Sequence, residues 1–293
     1  MTFADIAAKE AHLRAALRKL GPTLVAYSGG VDSSLLAFIA KQELPQSRVV
    51  IAVSPSLAEY ERQAAFEQAE LLNFDLHVLY TKEVDSEDYR RNTGNRCFFC
   101  KSTLFEEMRR LKEEWHFDAI VYGANQDDLK DVRPGHLAAK KYGVLAPLLD
   151  ASLGKEEIRQ LAKQYQLPSW NRPQTACLSS RFPDFTYVDQ EALHKVEAAE
   201  QVVRAAGFKQ IRVRYLAGSS LTARVEVGAE EVYRLTEDVL APIEKSLLTI
   251  GFAKVEFDRE GYRQGKANMA KSDPVKSDIG KSNLENRASL HGK

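Results

Sequence analysis

Apolar and polar positions follow two rhythms over the first part of the chain. TLVAY (23–27), RVVIAVS (48–54), FDLHVLY (74–80) and DAIVYG (118–123) are short apolar runs bounded by polar or glycine positions. Between and around them, residues 1–20, SLLAFIAKQ, 58–72, about 101–115 and KEEIRQLAKQYQL (155–167) space their apolar side chains as one face of an α-helix does. Strands that are apolar throughout, alternating with helices, predict an α/β fold: a parallel twisted sheet with helices on both faces.

Past Arg181 the rhythm changes. VDQEALHKVEAAEQVVRAAGF reads as a helix stopped at Gly207, and QIRVRYL and LTARVEV alternate as half-exposed strands do, able to pair across AGSS. A helix through 229–250 and a strand at AKVEFD complete a small α+β C-terminal domain. The last stretch is polar, aromatic-free and aperiodic, the composition of a disordered tail. The expected division is 1–184, 185–263 and a tail at 264–293.

Composition adds exclusions. No apolar run reaches the roughly 20 residues of a membrane span, and the amphipathic start lacks a signal peptide's apolar core, so a cytoplasmic location is expected. Lys plus Arg and Asp plus Glu both number 41. Residues 264–293 hold six of the basic and three of the acidic groups, leaving 35 against 38 elsewhere. A nucleic-acid partner is therefore not expected, since such proteins usually carry a basic excess on the folded part.

SGGVDSS (28–34) lies between the first strand and its helix. Gly29 and Gly30 allow a tight turn that presents backbone N–H groups to an anion, Ser28, Ser33 and Ser34 offer hydroxyls, and the helix start adds positive potential. Asp32 suits such a cradle if a magnesium ion bridges it to phosphate. The bland alternative is a glycine-rich turn with an Asp or Ser helix cap. The Walker lysine is missing. The string instead resembles the PP-loop of the ATP pyrophosphatase superfamily, the adenine nucleotide alpha hydrolase-like fold. That likeness implies cleavage of ATP between its α and β phosphates.

Three further segments carry candidate chemistry. NRCFFCKSTLF places Cys97 and Cys100 just ahead of a helix; GANQDDLKDVRPG holds Asp127, Asp128, Asp131 and Arg133; ACLSSRFP holds Cys177 and Arg181. The aspartates can hold magnesium on pyrophosphate or form a solvated acidic loop. Arg133 and Arg181 suit bidentate phosphate or carboxylate contacts. Arg212 and Arg214 share one face of a strand, which suits an anion but equally a solvated surface.

Together with AAEQVVRAAGFKQIRVR and EGYRQG, these segments resemble the LarE family over about residues 5–265. Its members are ATP-dependent sulfur transferases that make the nickel-pincer nucleotide cofactor of lactate racemase. The resemblance implies a small-molecule substrate, pyridinium-3,5-biscarboxylic acid mononucleotide, adenylylated on a carboxylate and then thiolated. It implies a homo-oligomer, a phosphate site at Arg212 and Arg214, and metal contact at Glu200, which otherwise reads as a surface helix residue. Three cysteines resemble the variant in which Cys97, Cys100 and Cys177 hold a 4Fe–4S cluster with one open iron for a sulfide or other sulfur donor.

Other readings of the cysteines stay open: zinc with His116 or His136, a redox pair with Cys177 as sacrificial donor, or three inert thiols. Rival functions are a cluster-dependent tRNA thiolase and, in another class, a non-enzymatic sensor of ATP and a cluster.

Overall fold

The computed structural model describes residues 3–44, 46–130, 134–173 and 175–262. The tail expected at 264–293, together with Asp131 and Arg133, lies outside the described residues.

The chain runs through α1 (Phe3–Arg18), β1 (Thr23–Tyr27), α2 (Val31–Glu43), β2 (Ser47–Val53), α3 (Glu59–Leu71) and β3 (Leu76–Tyr80). It continues with α4 (Glu87–Arg90), α5 (Arg96–Glu114), β4 (Ala119–Tyr122), α6 (Pro134–Lys141), α7 (Pro147–Asp150) and α8 (Lys155–Gln164). The four strands are parallel in the order β3-β2-β1-β4, so the topological switch point lies between β1 and β4. Val25, Val49, Ile51 and Val121 pack on one side with α1, α2 and α8. Leu24, Val50, Ile120 and Tyr122 pack on the other with Phe105 and Met108 of α5 and Ala138 of α6. Both faces are covered, which is why these strands are apolar at consecutive positions.

A second sheet has the order β5-β6-β7, from β5 (Ile211–Leu216), β6 (Thr222–Val227) and β7 (Lys254–Phe257). β5 and β6 pair antiparallel through the expected hairpin. Helices α9 (Gln190–Ala205) and α10 (Glu237–Ile250) close its core over Val203, Val213, Val225 and Leu247. No helix among the described residues is long and apolar enough to cross a membrane.

Four expectations need correction. The C-x-x-C does not precede α5 but forms its first turn, because the helix starts at Arg96 after Asn95. The helix expected over 229–250 is split: a 3-10 turn spans Ala229–Arg234 and α10 starts only after Thr236. α8 ends at Gln164, and Gln166 turns left-handed with φ 55° while Leu167 N–H donates back to Ala162 O. The β5–β6 hairpin is not half-exposed. Its polar positions are covered by the 3-10 turn Leu178–Arg181 and by Tyr262, so Arg212 and Arg214 are 6% and 5% exposed.

Candidate active site at the carboxyl edge of the sheet

β1 delivers the glycine loop to the carboxyl edge of the sheet, beside the switch point. Gly29 has φ +75°, and a Cβ there would lie 2.6 Å from the Ala65 Cβ, so both conformation and space demand glycine. Gly123, following β4, is constrained by space alone: a Cβ would lie 2.8 Å from the Ser33 nitrogen. α2 has no side-chain cap, which leaves its first N–H groups for an incoming anion. An anionic ligand such as a nucleotide phosphate fits that cradle.

The loop hydroxyls divide differently from the sequence expectation. Ser34 is fully buried; it donates to Gly30 O at 2.8 Å and accepts from Gln68 Nε2 at 2.6 Å. Ser33, also buried, accepts from the Ser28 N–H at 3.1 Å and bonds Gly30 O. These two hold the turn, and the exposed hydroxyl is that of Ser28.

Asp32 is already engaged. One oxygen pairs with Lys155 Nζ, and the other accepts from Asn125 Nδ2 at 3.3 Å. Asp127 accepts from the Lys155 N–H at 2.7 Å and Asp128 from the Asn125 N–H at 3.1 Å. Asp32, Asp127 and Asp128 thus converge in one network between the ends of β1 and β4. Lys155 brings a cation into it; carboxylates are the hard oxygen donors magnesium takes, although these three are not gathered into a metal-holding group among the described residues.

The thiols sit at the same edge. Cys97 and Cys177 are exposed and Cys100 is half-buried, and none is in a disulfide. The Leu178 N–H donates to Ser56 O at 2.9 Å, docking the Cys177 segment just beyond the carboxyl end of β2. The Tyr89 hydroxyl meets the Ser179 hydroxyl at 2.5 Å. Burial pushes the Cys100 thiol far above its ordinary range, and Glu83, Cys177 and Cys97 push the same way while Lys101 opposes. Cys97 and Cys177 therefore both lie within electrostatic reach of Cys100. Even so, among the described residues no three His, Cys, Asp or Glu side chains are gathered into a group able to hold a metal ion. Three thiolates are the ligand type a cluster takes, but two of the three, Cys97 and Cys177, are exposed and the set is not gathered. His116 lies beyond the far end of α5, whose 19 residues span about 28 Å, so it cannot join these cysteines on zinc. His136 bonds the Tyr122 hydroxyl at 2.7 Å.

Arg181 and Glu200 form a buried fork. Nε and Nη2 of Arg181 donate to the two carboxylate oxygens at 2.8 and 2.9 Å, and Nη1 donates to Ala176 O and Cys177 O at 2.6 and 3.0 Å. Glu200 also accepts from the Val213 N–H at 3.0 Å. Burial opposes the charge on Arg181, but Glu200 outweighs it and holds the guanidinium above its ordinary value. This geometry makes Arg181 a positioning residue for the Cys177 backbone rather than an open phosphate ligand. It also makes Glu200 its anchor, 4% exposed, rather than a surface glutamate.

The two strand arginines differ as well. Arg214 is committed to Glu226 at 2.9 Å and to Ser180 O at 2.9 Å. Arg212 bonds only the neighbouring Ile211 O and lies over the Tyr262 ring; among the described residues no carboxylate reaches ion-pair distance. Burial, and next Arg181, lower its guanidinium below the ordinary value. A buried cation without a counter-ion is costly, so Arg212 is the member of the pair ready for an anion.

Sequence reasoning missed Lys155, Gln68, Tyr89, Glu226 and Glu83. The last is 2% exposed, takes hydroxyls of Ser54 and Ser56 at 2.5 and 3.0 Å on one oxygen, and leaves the other unbonded among the described residues. Gly123, Asn125 and Tyr262 stood inside segments already singled out; the others left no local signal.

No family model matches the chain. A Synechocystis protein, the uncharacterised slr1717, is 39% identical over 259 residues, 88% of this chain and 96% of the relative. The pyridinium-3,5-bisthiocarboxylic acid mononucleotide synthase of Lactiplantibacillus plantarum is 29% identical over 91% of this chain and 96% of its own. The uncharacterised Methanocaldococcus jannaschii protein MJ0830 is 29% identical over 82% and 90%. The chain belongs to one family with slr1717, and its end-to-end likeness to the bisthiocarboxylate synthase supports placing that family among the LarE proteins.

Proposed function

We propose that this protein is a cytoplasmic, homo-oligomeric, ATP-dependent sulfur transferase of nickel-pincer nucleotide synthesis. It adenylylates a carboxylate of pyridinium-3,5-biscarboxylic acid mononucleotide, with magnesium on the departing pyrophosphate, and sulfur then displaces AMP. A carboxylate is a poor electrophile, and the mixed anhydride gives it a good leaving group. Carbon–sulfur bond formation and carbon–oxygen cleavage leave a thiocarboxylate and AMP.

The supporting observation is the placement of two chemistries at one edge. The anion-ready turn ends β1, and the Cys177 segment docks beyond β2, the neighbouring strand about 4.8 Å away. In this reading the α2 start and Ser28 receive phosphate, Asp32, Asp127 and Asp128 hold magnesium, and Lys155 moves from Asp32 to phosphate as the metal arrives. Arg181 and Glu200 hold the Cys177 backbone. A 4Fe–4S cluster on Cys97, Cys100 and Cys177 supplies sulfide when bound.

The test is an anaerobic reaction of the dicarboxylate nucleotide with ATP, magnesium and sulfide. AMP and thiolated nucleotide in equal amounts are expected; neither product means the reading is wrong. Iron analysis of native protein and Cys97→Ala separates the sulfur sources: about four iron atoms per chain, lost in the variant, assign the cluster. A second reading, in which Cys177 gives up its own sulfur and becomes dehydroalanine, is favoured by the exposure of Cys177 and the unclosed thiol set. It requires iron-free active protein whose Cys177 becomes lighter by one H₂S.

A further inference from the structure

A cavity of about 110 Å³ opens between the start of α3 and the start of β5, with Tyr60, Arg172, Ala176, Arg204 and Arg212 in its lining. Its wall ends one residue before Cys177. The charges around it are unevenly satisfied. Arg172 is paired with Glu61 at 2.8 Å and Arg181 with Glu200. Arg204 and Arg212 have no carboxylate within ion-pair distance among the described residues. Arg204 instead lies on the ring of Tyr60, 4.3 Å from its centroid, and Tyr60 is 52% exposed. A guanidinium is flat, delocalised and positive, and it occupies the position that a flat cationic ring would take on an aromatic face.

We infer that Tyr60 and Arg204 form the subsite for the ring of a pyridinium carboxylate mononucleotide, an assignment that rests on the proposed function. The phosphate goes to Arg212, the buried arginine of the wall with no carboxylate at ion-pair distance among the described residues. The pyridinium takes the Tyr60 face that Arg204 covers. Displaced from the ring, Arg204 pairs with the ring carboxylate that is not being activated, while the other carboxylate faces the Ala176–Cys177 end. The pair thereby selects for both the positive ring and its second carboxylate. A neutral pyrimidine nucleotide offers Tyr60 no cation and Arg204 no partner.

Equilibrium binding of three probes to the full-length protein tests this. Nicotinic acid mononucleotide carries ring charge, carboxylate and phosphate; nicotinamide mononucleotide lacks the carboxylate; ribose 5-phosphate lacks the ring. Wild-type protein is expected to bind them in that order of decreasing affinity. Tyr60→Leu should weaken both pyridinium nucleotides about tenfold and leave ribose 5-phosphate unchanged. Tyr60→Phe should restore them. Arg204→Gln should bring nicotinic acid mononucleotide down to the level of nicotinamide mononucleotide. Unchanged ribose 5-phosphate binding shows in each case that the fold is intact. If Tyr60→Leu and Arg204→Gln keep the wild-type order and ratios, the subsite is wrong while the phosphate assignment stands. If Arg212→Gln leaves ribose 5-phosphate binding intact, or wild-type protein binds none of the probes, the underlying phosphate site falls, and the ring subsite with it.

Discussion

The glycine loop and the thiol site share one edge of the sheet but are made in opposite ways. The loop is a single run of seven residues, and its geometry is complete without ligand: glycine at the left-handed position, two buried serine hydroxyls locking the turn, and uncapped helix N–H groups facing out. The thiol site draws on α5, the turn after β2 and a segment nearly eighty residues downstream of Cys100, and it stays open. What holds its Cys177 segment in place is a buried ion pair: Glu200 on α9 holds Arg181, which holds the Cys177 carbonyl. A turn fixed by its own residues needs no backbone rearrangement to meet an anion, whereas a site assembled from distant segments depends on contacts across the fold.

Breaking the assembled site should therefore cost more than breaking the local one. Glu200→Ala leaves Arg181 charged and buried without its partner, and should lower unfolding free energy by about 3–5 kcal/mol. A urea midpoint close to wild type would show that the fork does not hold the Cys177 segment. Gly29→Ala forces a left-handed alanine against Ala65, which should cost about 2–3 kcal/mol and abolish ATP binding. Retained nucleotide affinity in this variant would remove the loop from the site.

Smaller effects sharpen the contrast. Cys177 is exposed, so Cys177→Ser should change stability by less than about 0.5 kcal/mol while eliminating thiolated product. ATP binding should survive, because the loop is independent of it; joint loss of both would merge the two regions into one unit. The smallest effect is at high pH. Burial, with Asp128 and Asp150 adding, raises the Tyr122 hydroxyl, one residue before Gly123, to about 12. A folded value above the ordinary 10 contributes stability in full below pH 10 and loses it as the pH rises through 12. Tyr122→Phe should flatten that slope, read as denaturation midpoints between pH 9 and 12.

Much of this was legible along the chain. Continuous apolar runs at β1, β2 and β4 announced strands buried on both faces, and the SGGVDS string announced an anion turn. These are local properties, set by backbone conformation and by which side chains need burial. The fates of the polar groups were not local. Ser34 and Ser28 look alike in sequence, yet one faces Gln68 in the core and the other faces solvent. Arg212 and Arg214 share a strand face, yet Glu226 neutralises only Arg214.

The sequence by itself determined the layered α/β architecture, the glycine turn and the identity of the three thiols, because periodicity and glycine conformation are written in consecutive residues. Only the tertiary structure decided which charges are spent and which are waiting. Lys155 reached Asp32, Glu200 claimed Arg181, and Arg212 was left buried beside the Tyr60 cavity. Ion pairing depends on distances across the fold, and low-dielectric burial turns each such pairing into a choice between structure and chemistry.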